Sequence, residues 1–190
     1  THGGDITAGG PLETHTLAID TDSGFLFRCG GANSQGLRIY DLGPDPAHPQ
    51  LVATWSDDFI HDAQAVTLTS GPAAGRQIVF ACRGDTPAPT DLTIFDVTDK
   101  SNLQVLTSVT WPNSFQAHQC WLSADGQTLY LNDERSDGFR PSTTFVLDVS
   151  DPAAATLLGS FTNGNTAANH NLYVRGSKIY EANYRSGLRI

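Results

Sequence analysis

The feature that most constrains this chain is an internal repeat in which a histidine recurs at one place. Four histidines open the four copies, at steps of 46, 57 and 52 residues (61 − 15, 118 − 61 and 170 − 118): His15, His61, His118 and His170. Each one precedes a strand-like run, a hairpin, a second run, and a third run followed by a turn. Periods of about 40–50 residues with four short strands each are typical of β-propeller blades. The sequence therefore predicts an all-β chain, a β-propeller of four-stranded blades.

About three and a half blades are expected within a single propeller segment, residues 1–190. The predicted blades cover approximately residues 13–57, 59–111, 115–162 and 167–190, and the last one stops inside its third strand. An arc of this kind leaves unpaired strand edges, which proteins normally cover. We therefore expect a larger closed ring, completed by the remaining blades of a longer protein or, as the less favoured alternative, by another chain.

In the first three copies the third strand ends in an aspartate followed by a turn, at Asp41, Asp96 and Asp148. Aspartate commonly accepts a hydrogen bond from its own backbone two residues further on. We expect these three carboxylates to close turns and to have a structural role.

Composition supports this fold class and argues against nucleic-acid binding and against a membrane span. Charged residues make up only 16% of the chain, and its 18 glycines and 10 prolines suit many turns. The net charge of −9 repels phosphate backbones, so nucleic-acid binding is not expected. No run approaches the ~20 apolar residues of a membrane span, so no transmembrane segment is predicted.

The three cysteines form no CxxC pair, which argues against a structural zinc site. Cys29 and Cys82 occupy similar places in neighbouring repeats, and a disulfide between them is a candidate. Cys120 is then left over and is expected to be a small buried apolar residue.

The four repeated histidines are candidate metal ligands. The first strand of a propeller blade lines the central channel, so equivalent residues of successive blades lie at one level around the axis. Imidazoles pointing inward at one level could bind iron, zinc, copper or manganese. Acidic loops leave calcium as a weaker candidate. The alternative is structural: each histidine bonds the next blade's backbone and fixes the spacing between blades.

Other polar residues are candidates for a pocket near the histidines. The residue after each histidine points to the opposite side of its strand and is expected to form hydrogen bonds between blades; these residues include Asp62, Gln119 and Asn171. At the ends of second strands, Asp133, Glu134 and Arg185 could line a polar pocket over the channel mouth. Glu134 could also be a metal ligand or a general base, and salt bridges between blades are the alternative for this group.

Several runs resemble the choice-of-anchor B family of LVIVD-repeat propeller proteins. They are HDAQ at 61–64, LTIFDVTDKSN at 92–102, HQCWL at 118–122, NDE at 132–134 and HNLYVRG at 170–176. The resemblance covers residues 13–190 and departs at Cys120, where the family usually has glycine. It implies a bacterial protein that is secreted or attached to the cell surface, in a longer chain with further blades. It implies no activity.

Three functions remain open from the sequence. The first is an extracellular binding or scaffold module without catalytic activity, presenting loops such as 86–91 and 136–143 to a protein or glycan at the cell surface. The second is a metal-dependent enzyme with a histidine-ligated metal on the propeller axis. The third is a structural subunit of a surface assembly. No GxSxG, HExxH or phosphate-binding loop is present, so no catalytic residue is assigned.

Overall fold

A computed structural model of the chain describes residues 14–31, 36–84, 90–112, 114–134 and 141–190. These residues form fifteen strands in four antiparallel sheets. Most of the two predicted binding loops, 86–91 and 136–143, lies outside the described residues.

Each sheet is a meander, with strands paired in chain order. The first contains β1 (Thr16–Asp20), β2 (Phe25–Cys29), β3 (Leu37–Asp41) and β4 (Gln50–Trp55). The second contains β5 (Asp62–Thr67), β6 (Gln77–Arg83), β7 (Asp91–Asp96) and β8 (Gln104–Val109). The third contains β9 (Ala117–Leu122), β10 (Thr128–Asp133), β11 (Thr143–Asp148) and β12 (Thr156–Thr162). The fourth contains β13 (Leu172–Arg175), β14 (Lys178–Ala182) and β15 (Leu188–Arg189).

The prediction of an all-β chain with a propeller arrangement is confirmed. We call the four sheets blades 1 to 4, and each one lies within one of the predicted blade ranges. The described residues contain one short helical segment, a 3-10 turn at Tyr184–Ser186. Among these residues no helix has both the length and the apolar character needed to cross a membrane.

Apolar cores lie between neighbouring blades. Alternate residues of each inner strand point to opposite faces of the sheet, so each face packs against a different blade. Phe27 and Ile39 of blade 1 pack with Val79 and Phe95 of blade 2. Phe80, on the other face of blade 2, belongs to a second cluster with blade 3. The blades are therefore held together mainly by face-to-face burial of apolar side chains.

The expected aspartate turns are present in all three complete blades. The Oδ1 atoms of Asp41, Asp96 and Asp148 accept backbone N–H groups two residues on, at 2.8, 2.9 and 2.9 Å. This part of the sequence prediction is confirmed, because the motif depends on local geometry alone.

The suggested disulfide between Cys29 and Cys82 is not formed, and this prediction is corrected. All three cysteines are free, buried thiols. Cys29 lies in the core between blades 1 and 2, whereas Cys82 lies in the core between blades 2 and 3, beside Cys120. Equivalent positions in successive blades thus face successive interfaces, which separates the two sulfur atoms.

Candidate metal centre

The four repeated histidines stand side by side where the first strands of the blades begin. Three of them donate their backbone N–H to a backbone carbonyl oxygen near the end of the second strand of the same blade, at 2.8–3.0 Å. These bonds run from His15 to Cys29, from His61 to Cys82 and from His170 to Ala182. The same backbone contact thus holds the start of three inner strands. The four histidines are brought to one level, as the sequence predicted.

We call this row of rings the imidazole ladder (His15, His61, His118 and His170). Successive ring centroids are 4.1, 4.3 and 4.3 Å apart, and successive ring planes are inclined by 58°, 49° and 46°. His61 and His118 in the middle of the row are 5% and 3% exposed. His15 is exposed and His170 is half-buried. The two central imidazoles are therefore the ones shielded from water.

A backbone contact fixes the tautomer of His61. Its Nδ1 atom lies 3.0 Å from the carbonyl oxygen of His118 in the next blade. A carbonyl oxygen only accepts hydrogen bonds, so we assign the proton to Nδ1, and the Nε2 atom of the neutral ring is then an acceptor. Metal-binding histidines are commonly oriented by this kind of hydrogen bond.

Glu134 follows β10 and brings a carboxylate to the ladder. Its Oε2 atom lies 3.4 Å from Nε2 of His118, and its Oε1 atom lies 3.9 Å from Nε2 of His170. The hydroxyl of Tyr184 donates a hydrogen bond to Oε1 at 2.5 Å. The Tyr184 ring also contacts His170 edge-on, at 5.1 Å between centroids. Tyr184 therefore holds the carboxylate from the side of blade 4.

Three of these residues can share one metal ion. One ligand atom each from His61, His118 and Glu134 lies within 4.8 Å of the other two. His15 and His170, which the sequence also offered as ligands, lie outside this set of three among the described residues. The candidate centre is thus a pair of buried histidines from blades 2 and 3 with one carboxylate from blade 3.

The environment keeps the central histidine neutral. Burial lowers the pKa of His118 to about 3, and the neighbouring His61 and His170 act in the same direction. Beside Glu134, the hydrogen bond to this carboxylate together with burial raises the pKa of Tyr184 to about 12. Near neutral pH the centre therefore presents an uncharged imidazole and a protonated phenol.

The expectation of hydrogen bonds between blades is fulfilled for three residues that follow a histidine, Thr16, Asp62 and Gln119. Gln119 accepts the backbone N–H of Leu172 in blade 4 at 2.8 Å. Thr16 donates to the carbonyl oxygen of His61 in blade 2 at 2.9 Å. Asp62 accepts the N–H of its neighbour Ala63 at 2.7 Å and also forms a side-chain hydrogen bond with Thr16 of blade 1, while burial raises its pKa to about 6. The Oδ1 atom of Asn171 is buried without a hydrogen-bond partner among the described residues.

The remaining pocket candidates do not join the candidate metal centre. Asp133 accepts the backbone N–H groups of Phe115 and Gln116 at 2.7 and 3.0 Å, which is a structural role. Arg185 is exposed within the short 3-10 turn. Asp62, Gln119 and Asn171 line a different feature, a groove of about 720 Å³ along the first strands. The sequence predicted one pocket for these residues. In the structure Glu134 lies at the candidate metal centre, whereas Asp62, Gln119 and Asn171 lie along the groove.

Sequence reasoning did not pair Glu134 with Tyr184. Each follows, by two positions, the equivalent residue at the end of its second strand, which is Asn132 in blade 3 and Ala182 in blade 4. Gly84 has the same place in blade 2, two positions after Cys82. Tyr184 also has a positive φ of 40°, which is uncommon outside glycine and directs this turn. Aligning the repeats at this position would have placed Gly84, Glu134 and Tyr184 around the ladder.

The comparisons with known proteins define the fold class and no more. No protein-family model matches the sequence, and no curated protein matches it. Kuenenia stuttgartiensis hydrazine synthase is similar in structure, with a TM-score of 0.64, 13% identity, and coverage of 90% of this chain and 44% of that chain. The Pseudomonas aeruginosa periplasmic gluconolactonase PpgL has a TM-score of 0.62 and 16% identity, covering 87% of this chain and 49% of that one.

These similarities support a β-propeller and say nothing of activity, because identities this low show the fold alone. The chain spans less than half the length of either structure. Any function must therefore be argued from the residues of the site.

Proposed function

We propose that this chain is part of a larger, closed β-propeller that binds a divalent first-row transition metal through His61, His118 and Glu134. The observation that supports it is the convergence of three ligand atoms within 4.8 Å. The metal would join blades 2 and 3 at the end of the channel where their first strands begin.

Hydrogen-bond chemistry favours a cation at this point. The Nε2 atom of His61 is left with a lone pair by the bond of its Nδ1 to a carbonyl oxygen. The carboxylate of Glu134 can only accept, and one of its oxygens already receives the Tyr184 hydroxyl. A neutral imidazole nitrogen and a carboxylate oxygen can both donate an electron pair to a cation, so a metal ion between these residues would be held by both.

The ligand types narrow the choice of metal. Imidazole nitrogen with one carboxylate suits iron, zinc, manganese or copper. Calcium prefers six to eight oxygen ligands, so the site favours it least. Two histidines and one carboxylate leave coordination positions for water or a substrate, which is the arrangement that metal catalysis needs.

The location of the protein is part of the proposal. The resemblance to choice-of-anchor B proteins supports a secreted or surface-attached protein, and the net charge of −9 is compatible with it. In that location the site would take up its metal from the surroundings of the cell.

Elemental analysis by plasma mass spectrometry tests the metal proposal. Purified protein is incubated with zinc, iron(II), manganese or copper, then freed of loosely bound ions by gel filtration. We expect about one ion per chain, lost in Glu134→Gln and His118→Gln. His48→Ala is the matched control, because His48 is an exposed histidine beside Asp45 and away from the ladder. Metal absent from the wild type, or retained by both ligand variants, would contradict the proposal.

A second candidate function is ligand binding in the groove along the first strands, as a scaffold module would need. The observation that favours it is an aromatic pair on the groove wall, Trp121 and Tyr173, with centroids 4.6 Å apart. Polar groups of Asp62, Gln119 and Asn171 line the same groove. Aromatic faces beside carboxylate and amide groups suit a glycan. A glycan array probed with wild type and Trp121→Ala tests this, and equal or absent signals would refute it.

A further inference from the structure

The face of blade 4 that packs on blade 3 buries a carboxyl group that has no part in the candidate metal centre. Glu181, on β14, is only 4% exposed. Its hydrogen-bond partner is the hydroxyl of Thr144 on β11, in blade 3. Thr144 and its neighbour Asn132 on β10 are fully buried, so these groups are shielded from water. The carboxyl group therefore belongs to a polar contact inside the interface between blades 3 and 4.

The Thr144 hydroxyl has two neighbouring oxygen atoms and a single hydrogen to give them. Its Oγ1 atom lies 2.9 Å from Oδ1 of Asn132 and also contacts Oε1 of Glu181. It accepts a third contact, from Nδ2 of Asn169, at 3.1 Å. A hydroxyl has one hydrogen and two acceptor sites. When the hydroxyl donates to Asn132, its contact with Glu181 is a hydrogen bond only if the carboxylic acid is protonated and donates.

The reverse direction is equally complete. When the side-chain amide of Asn132 is turned over, its Nδ2 atom donates to Thr144, and the hydroxyl then donates to an ionised Glu181. As placed, Nδ2 of Asn132 is buried without a hydrogen-bond partner among the described residues, so the turned amide gains one. The two arrangements thus differ by one proton on Glu181 and by the orientation of one amide.

We propose that Glu181 is the proton-binding group of a pH-sensitive joint between blades 3 and 4, and that its proton sets the direction of this chain of hydrogen bonds. In the acid form Glu181 donates to Thr144, which donates to Asn132. In the alkaline form Asn132 donates to Thr144, which donates to Glu181. The inference goes beyond the proposed function and does not depend on metal binding.

Among the described residues, no charged group compensates an ionised Glu181. Arg189 is paired with Glu181 across β15, but its side chain is exposed. Tyr130 and Asp148 lie on the same faces of β10 and β11 as the joint, two and four residues along those strands. None of the three bonds to Glu181 within this part of the chain. Burial therefore raises the pKa of Glu181 above its ordinary value of 4.5, against the opposing effect of the Thr144 hydrogen bond.

The joint also borders the imidazole ladder from the side of blade 4. Asn169, the amide donor of the joint, directly precedes His170. Asn183, which directly precedes Tyr184, donates from Nδ2 to Oδ1 of Asn169 at 2.8 Å. The proton on Glu181 is thus linked by hydrogen bonds to the part of blade 4 that lies beside the ladder.

The pH dependence of stability tests the joint. A raised folded-state pKa means that the free energy of unfolding falls as the pH rises from the unfolded value through the folded one. Glu181→Gln cannot ionise, so its urea midpoint should rise relative to the wild type between acidic and mildly alkaline pH. Asp57→Asn is the control, because Asp57 is an exposed aspartate between blades 1 and 2, and its difference from the wild type should stay constant. A Glu181→Gln difference that does not change with pH would overturn the proposal.

Nuclear magnetic resonance of the full chain tests the direction of the hydrogen bonds. Carbon-13 spectra of the glutamate carboxyl groups give the midpoint of the Glu181 titration, assigned by the signal that Glu181→Gln lacks. We expect a midpoint above 4.5, with the side-chain amide of Asn132 shifting at the same pH. In Thr144→Val the amide should lose this response, because the connecting hydroxyl is gone. A midpoint at or below the ordinary value, or an amide that responds equally without Thr144, would contradict the joint.

Discussion

Glu134 links the proposed metal centre to a reporter residue, Tyr184. Their hydrogen bond raises the pKa of Tyr184 to about 12, with burial and the carboxylate charge acting in the same direction. In chelator-treated protein, Glu134→Gln should therefore shift the pKa of Tyr184 down toward its ordinary value of 10.0. Ultraviolet titration of tyrosinate measures this shift, and Tyr184→Phe identifies the signal. An unchanged titration in Glu134→Gln would show that the carboxylate does not contact the phenol.

Asp20 determines part of the acid stability, at a place remote from the ladder. Burial alone would raise its pKa, but hydrogen bonds from Ser23, Gln77, Thr67 and Asp22 lower it below the ordinary 3.8. Because the folded-state pKa is depressed, the stabilisation is complete above the unfolded value and is lost as the pH falls through the folded one.

We therefore expect Asp20→Asn to destabilise the protein at neutral pH and to match the wild type in acid, below both pKa values. Urea unfolding at neutral and at strongly acidic pH measures the difference. Asp57→Asn is the control, because Asp57 is an exposed aspartate in the connection between blades 1 and 2. A destabilisation by Asp20→Asn that persists in acid would contradict the assignment.

For single residues, the sequence predicted where a side chain lies in its blade better than which side chain of another blade it contacts. The level of the four histidines followed from their repeat. The pairing of Glu134 with Tyr184 did not, because both residues lie beyond the ends of their second strands, where strand periodicity carries no information.

At the scale of the elements, the close approach of blades 2 and 3 positions His118. A Cβ atom on Gly84 would lie 2.4 Å from the carbonyl oxygen of Ala117, the residue before His118. Gly84→Ala must therefore displace the start of β9, and we expect loss of metal binding with a destabilisation on the order of 1–3 kcal/mol.

Gly159→Ala is the matched control, because Gly159 lies in β12 and a Cβ atom added there would meet no other atom within 4 Å. Metal content and urea unfolding of the two variants give the comparison. Metal bound equally well by Gly84→Ala would show that the position of His118 does not depend on this contact.

Gln119 joins blades 3 and 4 by accepting the N–H of Leu172, a residue that is 0% exposed. Gln119→Leu leaves that buried N–H without its acceptor, which should cost about 1–3 kcal/mol. Gln104→Leu, on the exposed side of β8, should be nearly neutral. Urea unfolding measures both, and equal stabilities would mean that solvent satisfies the Leu172 N–H.

Local elements were predictable where a motif closes on itself, as in the turns at Asp41, Asp96 and Asp148. The cysteines show the limit. Cys29 and Cys82 have the same place in the repeat, yet each faces a different neighbouring blade. Residues at the same position of a repeat have similar surroundings, but the repeat does not predict that they contact each other.

At the scale of the whole molecule, the repeat length predicted the propeller class, and the sheets confirm it. The blade number did not follow from the sequence, since the rotation between blades depends on how apolar faces such as those of Phe80 and Cys120 pack. The same rotation sets the spacing of the ladder and brings His61 within reach of His118 and Glu134. The proposed metal centre is therefore a product of blade packing as well as of the histidine repeat.

The most direct test is an anomalous difference map from crystals of the metal-loaded protein. We predict one strong peak bonded to Nε2 of His61, Nε2 of His118 and a carboxylate oxygen of Glu134, at about 2.0–2.2 Å as in other histidine and carboxylate sites. A map without a peak between these three residues, or with the metal bound elsewhere, would contradict the proposed function.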